Sequence, residues 1–167
     1  MRQFRTRIRV KGMQLFITVL IQSITSFLAT ASFGIIYNIP RRPLIQGGLI
    51  GMVAWMIYFA LVAWRENDFL ATMTASFVIA ILSQIFARIY KNPVTLYSVS
   101  GIIPLVPGGL TYTVMRHAAS DQYEMAIHLG EKALVLSGAI AMGLIFAEVL
   151  YQAVNRYRHK LKKKSVR

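Results

Sequence analysis

Four helix breakers stand within six residues of an uncharged, apolar stretch: Pro104, Pro107, Gly108 and Gly109, inside SGIIPLVPGGLTYTVM at residues 100–115. The prolines remove two amide donors and disrupt the preceding turn. In lipid the carbonyls so freed would be costly unless something satisfies them, so such backbone persists only inside protein or along a wet cavity. The spacing predicts two half-helices, about 94–102 and 109–117, with an unwound PLVPGG between them. The second half-helix would aim amides and a positive dipole end at the gap near Gly108 and Gly109, with Thr111 in the same turn. The first would present carbonyls. Together they could hold a carboxylate and a cation or ammonium, the discontinuous-helix arrangement of secondary transporters. A proline-kinked helix packed on its neighbours is the competing reading.

Glu148 is the second candidate. It falls within the last apolar stretch, with Gln152 and Asn155 continuing its face. Keeping a carboxylate ionised in lipid is expensive, which makes it a candidate proton carrier. Snorkelling to the interface and pairing with Arg88 compete with that role. Arg41, Arg42, Arg88 and Lys91, in turns on one predicted side, could draw anions electrostatically or anchor the protein at the interface. Gln14, Thr18, Gln22 and Thr25 share one face of the first span, fit either for bonding a neighbouring helix or for lining a path. Gly47/Gly51 and Ala139/Gly143/Ala147 follow the spacing that lets helix backbones approach closely.

Enzyme templates fail. The sequence has no G-x-S-x-G, H-E-x-x-H or Walker loop and no paired intramembrane carboxylates. His117, His128 and His159 are scattered in polar segments and read as solvated, so neither a metal nor a cofactor is expected.

The elements that must position these residues are membrane helices. The chain has 167 residues, 56% of them hydrophobic, and no cysteine. Its net charge of +13 sits at the ends. Arg2, Arg5, Arg7, Arg9 and Lys11 precede the first apolar run, and seven basic residues from Arg156 to Arg167 follow the last. Such flanks fit a multi-span membrane protein, and no basic face or stacking motif points to nucleic acid. The expected fold is an all-α polytopic membrane protein of four to five transmembrane helices, one of them broken or re-entrant at the Pro/Gly motif. Spans are expected over 13–37, 44–64, 69–87 and 133–154, each long enough for a hydrocarbon core of about 30 Å. Residues 1–12 read as a basic cytoplasmic N-terminus, 13–155 as the membrane domain and 156–167 as a basic cytoplasmic tail. The polar segment 116–132 reads as a surface helix leading into the last span. With four spans and a re-entrant segment, 13 Lys/Arg share the side of both termini against 6 opposite. Five spans with the N-terminus inside would leave 8 inside against 11 outside. Charge counting therefore favours the even topology in the cell membrane, both termini cytoplasmic. The small-residue triplet 29–31 resembles a secretory cleavage site, but the apolar sequence continues past it to Tyr37.

FGIIYNIPRRPLIQGGLIGMVAWMIYF (33–59) and ARIYKNPVTLYSVSGIIPLVPGGLTYTVM (87–115) resemble the signatures of the threonine/serine exporter (ThrE-type) superfamily. The likeness is to the small YjjB-type subunit, or C-terminal half, and runs over about residues 13–154. Its motif residues are Asn38, Pro40, Arg41, Arg88, Pro93, Pro104, Pro107 and Gly108. The resemblance implies a secondary exporter of small carboxylate-bearing metabolites, threonine and serine, proton-coupled and working with a larger YjjP-like membrane subunit. Dicarboxylates such as succinate are the alternative cargo, and a non-transporting scaffold or assembly subunit the alternative role. Homo-oligomerisation is left open. On this reading Pro104, Pro107, Gly108, Gly109, Asn38 and Thr111 are the substrate-binding candidates.

Overall fold

The computed structural model describes residues 2–64 and 67–164, with side chains for 13, 14, 16–64 and 67–157. The described residues form helices throughout. They are α1 (Arg2–Ile36), α2 (Arg41–Ala63), α3 (Asp68–Tyr90), α4 (Val94–Gly101), a 3-10 turn at Ile103–Leu105, α5 (Gly108–Ala119) and α6 (Tyr123–Lys164). Four stretches can each span a bilayer: Phe16–Ile36, Arg41–Ala63, Asp68–Tyr90 and Tyr123–Tyr157. The pair Val94–Leu105 and Gly108–Ala119 is apolar enough to act as one span, bent by 51° at the break. The polar stretch 116–132 does not form one surface helix. It is divided between the last turn of α5, a short turn and the first turns of α6.

Three helices stop by the same device. Asn38, Lys91 and Asp121 adopt the left-handed conformation, at φ 55°, 54° and 57°. In each case the next residue donates its amide five positions back: Ile39 to Gly34 O, Asn92 to Ala87 O, Gln122 to His117 O. This closure satisfies carbonyls that a helix end leaves unpaired, and Asn and Asp tolerate the left-handed region better than other non-glycine residues. Prolines at 40, 43 and 93 then fall where an amide is not needed.

Small residues hold the bundle together. A Cβ at Gly48 would meet the Phe27 ring, and one at Gly51 would meet Thr30, both on α1. A Cβ at Gly47 would collide with Ser100 on α4, and one at Gly101 would press on Ile50 and Ile79. On α6, a Cβ at Gly143 would run into Ser76 Oγ, the Met73 carbonyl oxygen and the Phe77 amide nitrogen of α3. Ala139 and Ala147, one turn to either side, are fully buried. Both small-residue stripes are therefore helix–helix seams, as the spacing implied. Ser26 and Thr30 are buried too, so the 29–31 triplet lies inside a packed helix.

Helix directions follow from which residues meet. Gln22 meets Trp55 and Gly51 meets Thr30, so α1 and α2 are antiparallel. Gln46 meets Tyr97 and Ile50 meets Gly101, so α4 runs parallel to α2. Lys132 meets Asp68, Gly143 meets Ser76, Glu148 meets Gln84 and Asn155 meets Arg88, so α6 runs parallel to α3. Between two parallel helices the chain must return once through the thickness of the bundle. The broken segment makes that return. Each of its two pieces, twelve residues or so, is about 18 Å long. With a 51° bend they advance together by about 29 Å, close to the core thickness. The expected re-entry to the same face is therefore not what these helix directions give. The first and last long helices point out of opposite faces, and the even count that favoured two ends on one side rested on charges alone.

Candidate functional site

The break lies at mid-depth. Gly101, the last residue of α4, packs on Ile79, halfway along α3. Above it, toward the face bearing the 38–40 and 91–93 turns, α4 is clamped between α2 and α3. Tyr97 is wholly buried there, its hydroxyl donating to Gln46 Oε1 at 2.8 Å and accepting from Asn92 Nδ2 at 3.1 Å. Ile102 and Leu105 complete the packed side, Leu105 buried in the core cluster with Ile50, Ile79 and Ile140.

Beyond the break the surroundings change. Pro107 precedes α5 and no side chain caps that helix. The Gly108 amide turns back onto Val106 O at 2.7 Å, and Thr111 uses both its amide and its hydroxyl on Pro107 O, each at 3.0 Å. The Gly109 and Leu110 amides lie between these in the uncapped first turn, where a helix has donors to spare. A Cβ at Gly108 or Gly109 would meet nothing within 4 Å. Among the described residues no glycine has a positive φ, so neither backbone conformation nor close packing in this chain calls for glycine at either position. No residue of α5 is buried, and among the described residues the helix leans chiefly on α6. The result is an open notch within the apolar span, beside the 3-10 turn, with unpaired amides and no charged side chain of the broken segment near it. Such a notch can take a carboxylate through backbone donors.

Pro104, Pro107, Gly108, Gly109 and Thr111 thus share one place. Asn38, Arg41, Arg42 and Lys91 do not join them. They are exposed at one face of the bundle, Asn38 and Lys91 as helix-stopping residues and the two arginines in the first turn of α2. Arg88 is near that face too. Its Nη2 donates to Asn155 Oδ1 at 2.7 Å, and its guanidinium lies 4.8 Å over the Tyr151 ring. Glu148 lies between the break and that face on the α3–α6 seam. Its two oxygens accept from Gln84 Nε2 at 2.8 Å and Gln152 Nε2 at 3.0 Å. Of the expected stripe on α1, one residue is seen to bond a neighbouring helix, and Gln14, Thr18 and Thr25 are exposed. Gln22 accepts from Trp55 Nε1 at 2.8 Å, while Thr18 and Thr25 bond carbonyls of their own helix. Gln84 and Tyr97 escape a reading of the sequence, where Gln84 is one of two adjacent polar residues in an apolar run and Tyr97 one of several hydroxyl-bearing residues in VTLYSVS. Gln84 does precede Arg88 by four residues, which places both on the face that α6 covers.

The family described as "Threonine/Serine exporter, ThrE" matches residues 22–150, most of the chain and all of the broken segment. The protein belongs to that family. The threonine/serine exporter family is a family of membrane transporters, and the helices of this member, four of them long and apolar enough to cross, are those of a multi-pass membrane protein. The exporter matches no solved structure.

Proposed function

We propose that this chain is one half of a secondary exporter that carries threonine and serine out of the cell, driven by protons and completed by a larger membrane subunit. The observation that supports it most directly is the pair Gly108 and Gly109. They open a helix within the apolar span, seven residues past Gly101, meet no neighbour, and leave the Gly109 and Leu110 amides free for a substrate carboxylate. The ammonium of the same amino acid would be met by carbonyls at the end of α4. Asn38, Pro104, Pro107 and Thr111 shape the approach, Asn38 by holding the turn between α1 and α2. Glu148 is the proton carrier, placed within the apolar span and, among the described residues, held by two amides without a cation.

The segment 94–119 crosses the bilayer, making five crossings. The 38–43 and 88–93 turns and the C-terminal tail then share a side with eleven Lys/Arg against eight on the other. That side is the cytoplasmic one, with the N-terminus outside. Since the chain has no cysteine, single cysteines at Arg42 and Gln122 can be labelled without background. They should react with an impermeant reagent from opposite sides of sealed vesicles. Labelling of both from one side would restore re-entry.

The transport reading is tested by reconstitution with and without the larger subunit, following labelled threonine and labelled succinate. Efflux of threonine by the pair, dependent on a pH gradient, is the expected result. Succinate moved in its place would make this a dicarboxylate exporter, and no movement of either by the folded pair would leave a scaffold.

A further inference from the structure

The α3–α6 seam buries a polar side chain that packing does not require. Gln84 is 3% exposed among small and apolar neighbours, and it extends Nε2 to Glu148 Oε2 at 2.8 Å. Its own Oε1 is buried with no partner, as is the hydroxyl of adjacent Ser83. Glu148 Oε1 accepts from Gln152 Nε2, one turn along α6. Arg88, one turn beyond Gln84, is spent on Asn155 and on the Tyr151 ring. Among the described residues, two neutral amides therefore hold this carboxylate and no cation does.

That difference bears on proton exchange. A bonded arginine keeps a carboxylate ionised, whereas neutral amides favour the ionised form less strongly and let it take a proton. A protonated carboxyl then needs an acceptor for its own O–H, and the unused Gln84 Oε1 is one, reached when the amide turns over.

We infer that Gln84 is the positioning residue for Glu148, donating from Nε2 to the ionised carboxylate and accepting at Oε1 from the protonated carboxyl. It thereby sets the pH at which the coupling proton is taken up and released. This rests on the reading of Glu148 as the proton carrier. Among the described residues, the charged and titratable groups nearest this stretch along the two helices are Arg88 from α3, set over the Tyr151 ring, and Tyr151 and Arg156 from α6 itself. The other helix packed on α6, α5, carries its Arg116 and His117 in its last turn, at the far end of that contact.

The test is threonine efflux against pH from vesicles holding both exporter halves, with infrared titration of carboxyl protonation on the same samples. Variants are Glu148→Gln, Gln84→Leu and Gln84→Glu. Removing the Gln84 donor in Gln84→Leu should move half-maximal efflux to higher pH by about one unit. The KM for threonine should stay unchanged, and the infrared signal that Glu148→Gln abolishes should move with the efflux. Gln84→Glu keeps size and polarity should the leucine variant fail to fold. Two adjoining carboxyls share one proton there, so its profile should broaden and also move up. If Glu148→Gln removes pH dependence while both Gln84 variants keep the wild-type profile, Gln84 only fills the seam and the inference is overturned. If Glu148→Gln itself keeps normal pH dependence, the proton-carrier reading falls, and the inference with it.

Discussion

Gly143 and Gly108 sit in one small bundle for opposite reasons. At Gly143 the backbone of α6 rests on Ser76 and on the main chain of α3, and a Cβ there has no room. At Gly108 a Cβ would stand in open space, and so would one at Gly109. The contrast extends to whole regions. Above mid-depth, α4 is gripped by α2 and α3 through Tyr97, Ser100 and Gly101, all buried. Below it, α5 buries nothing and, among the described residues, packs on the bundle chiefly through α6. One region is filled because association in lipid depends on close packing rather than on water expulsion. The other keeps unpaired amides at a depth where lipid would make them costly, which is where a partner or a polar cargo has most to gain by binding.

The strongest way to break that contrast is to add side chains at both places. Gly143→Leu should leave little folded protein, and Gly143→Ala should cost about 1–3 kcal/mol in thermal or denaturant unfolding, because the neighbours it meets include backbone. Gly108→Leu should insert and fold as the wild type does, yet abolish efflux by filling the notch. Unchanged efflux from well-expressed Gly108→Leu would remove the notch from the transport path. Gly108→Ala separates the two effects further, since a helix-compatible alanine should be neutral or stabilise by up to about 1 kcal/mol.

Much of this was legible in the residues, and the remainder has identifiable causes. Two prolines and two glycines in an apolar run announce a break, and the half-helices form within one or two residues of their expected limits. Long apolar stretches announce the spans. Small-xxx-small spacing marks Gly47 and Gly143 as sites of close approach, but it cannot name the neighbour: that Gly47 meets Ser100 of α4 and Gly143 the main chain of α3 shows only once the helices are placed. Nor can charge counting see direction. The parallel run of α3 and α6 is written in Asp68–Lys132, Ser76–Gly143 and Gln84–Glu148, contacts separated by more than sixty residues. Asn38 stood out as a motif residue, but its part in stopping α1 shows only in its φ and in the amide of Ile39 reaching Gly34.

A smaller effect probes the packed region through its polar contact. Trp55→Phe deletes the donor to Gln22 Oε1 and leaves a partly buried acceptor between α1 and α2. The expected loss is about 1 kcal/mol of stability, with efflux per folded molecule unchanged. Loss of efflux at normal stability would instead make the α1 stripe part of the path.

The smallest effect concerns the end of the bundle where α5 diverges. There Lys132 Nζ and Asp68 Oδ2 are 2.7 Å apart, with side chains 48% and 37% exposed. An ion pair this open is worth about 0–1 kcal/mol, since water solvates both partners when they separate. A double-mutant cycle with Asp68→Asn and Lys132→Gln should give a coupling in that range, shrinking as salt rises. The value matters because Lys132 is the first link between α6 and α3 beyond the turn from α5. A coupling near zero would mean that α6 is held to α3 only from the Gly143 seam onward, through that seam and the Gln84–Glu148 and Arg88–Asn155 contacts beyond it. The early turns of α6 would then be free to move with α5, and the loose region would include both helices.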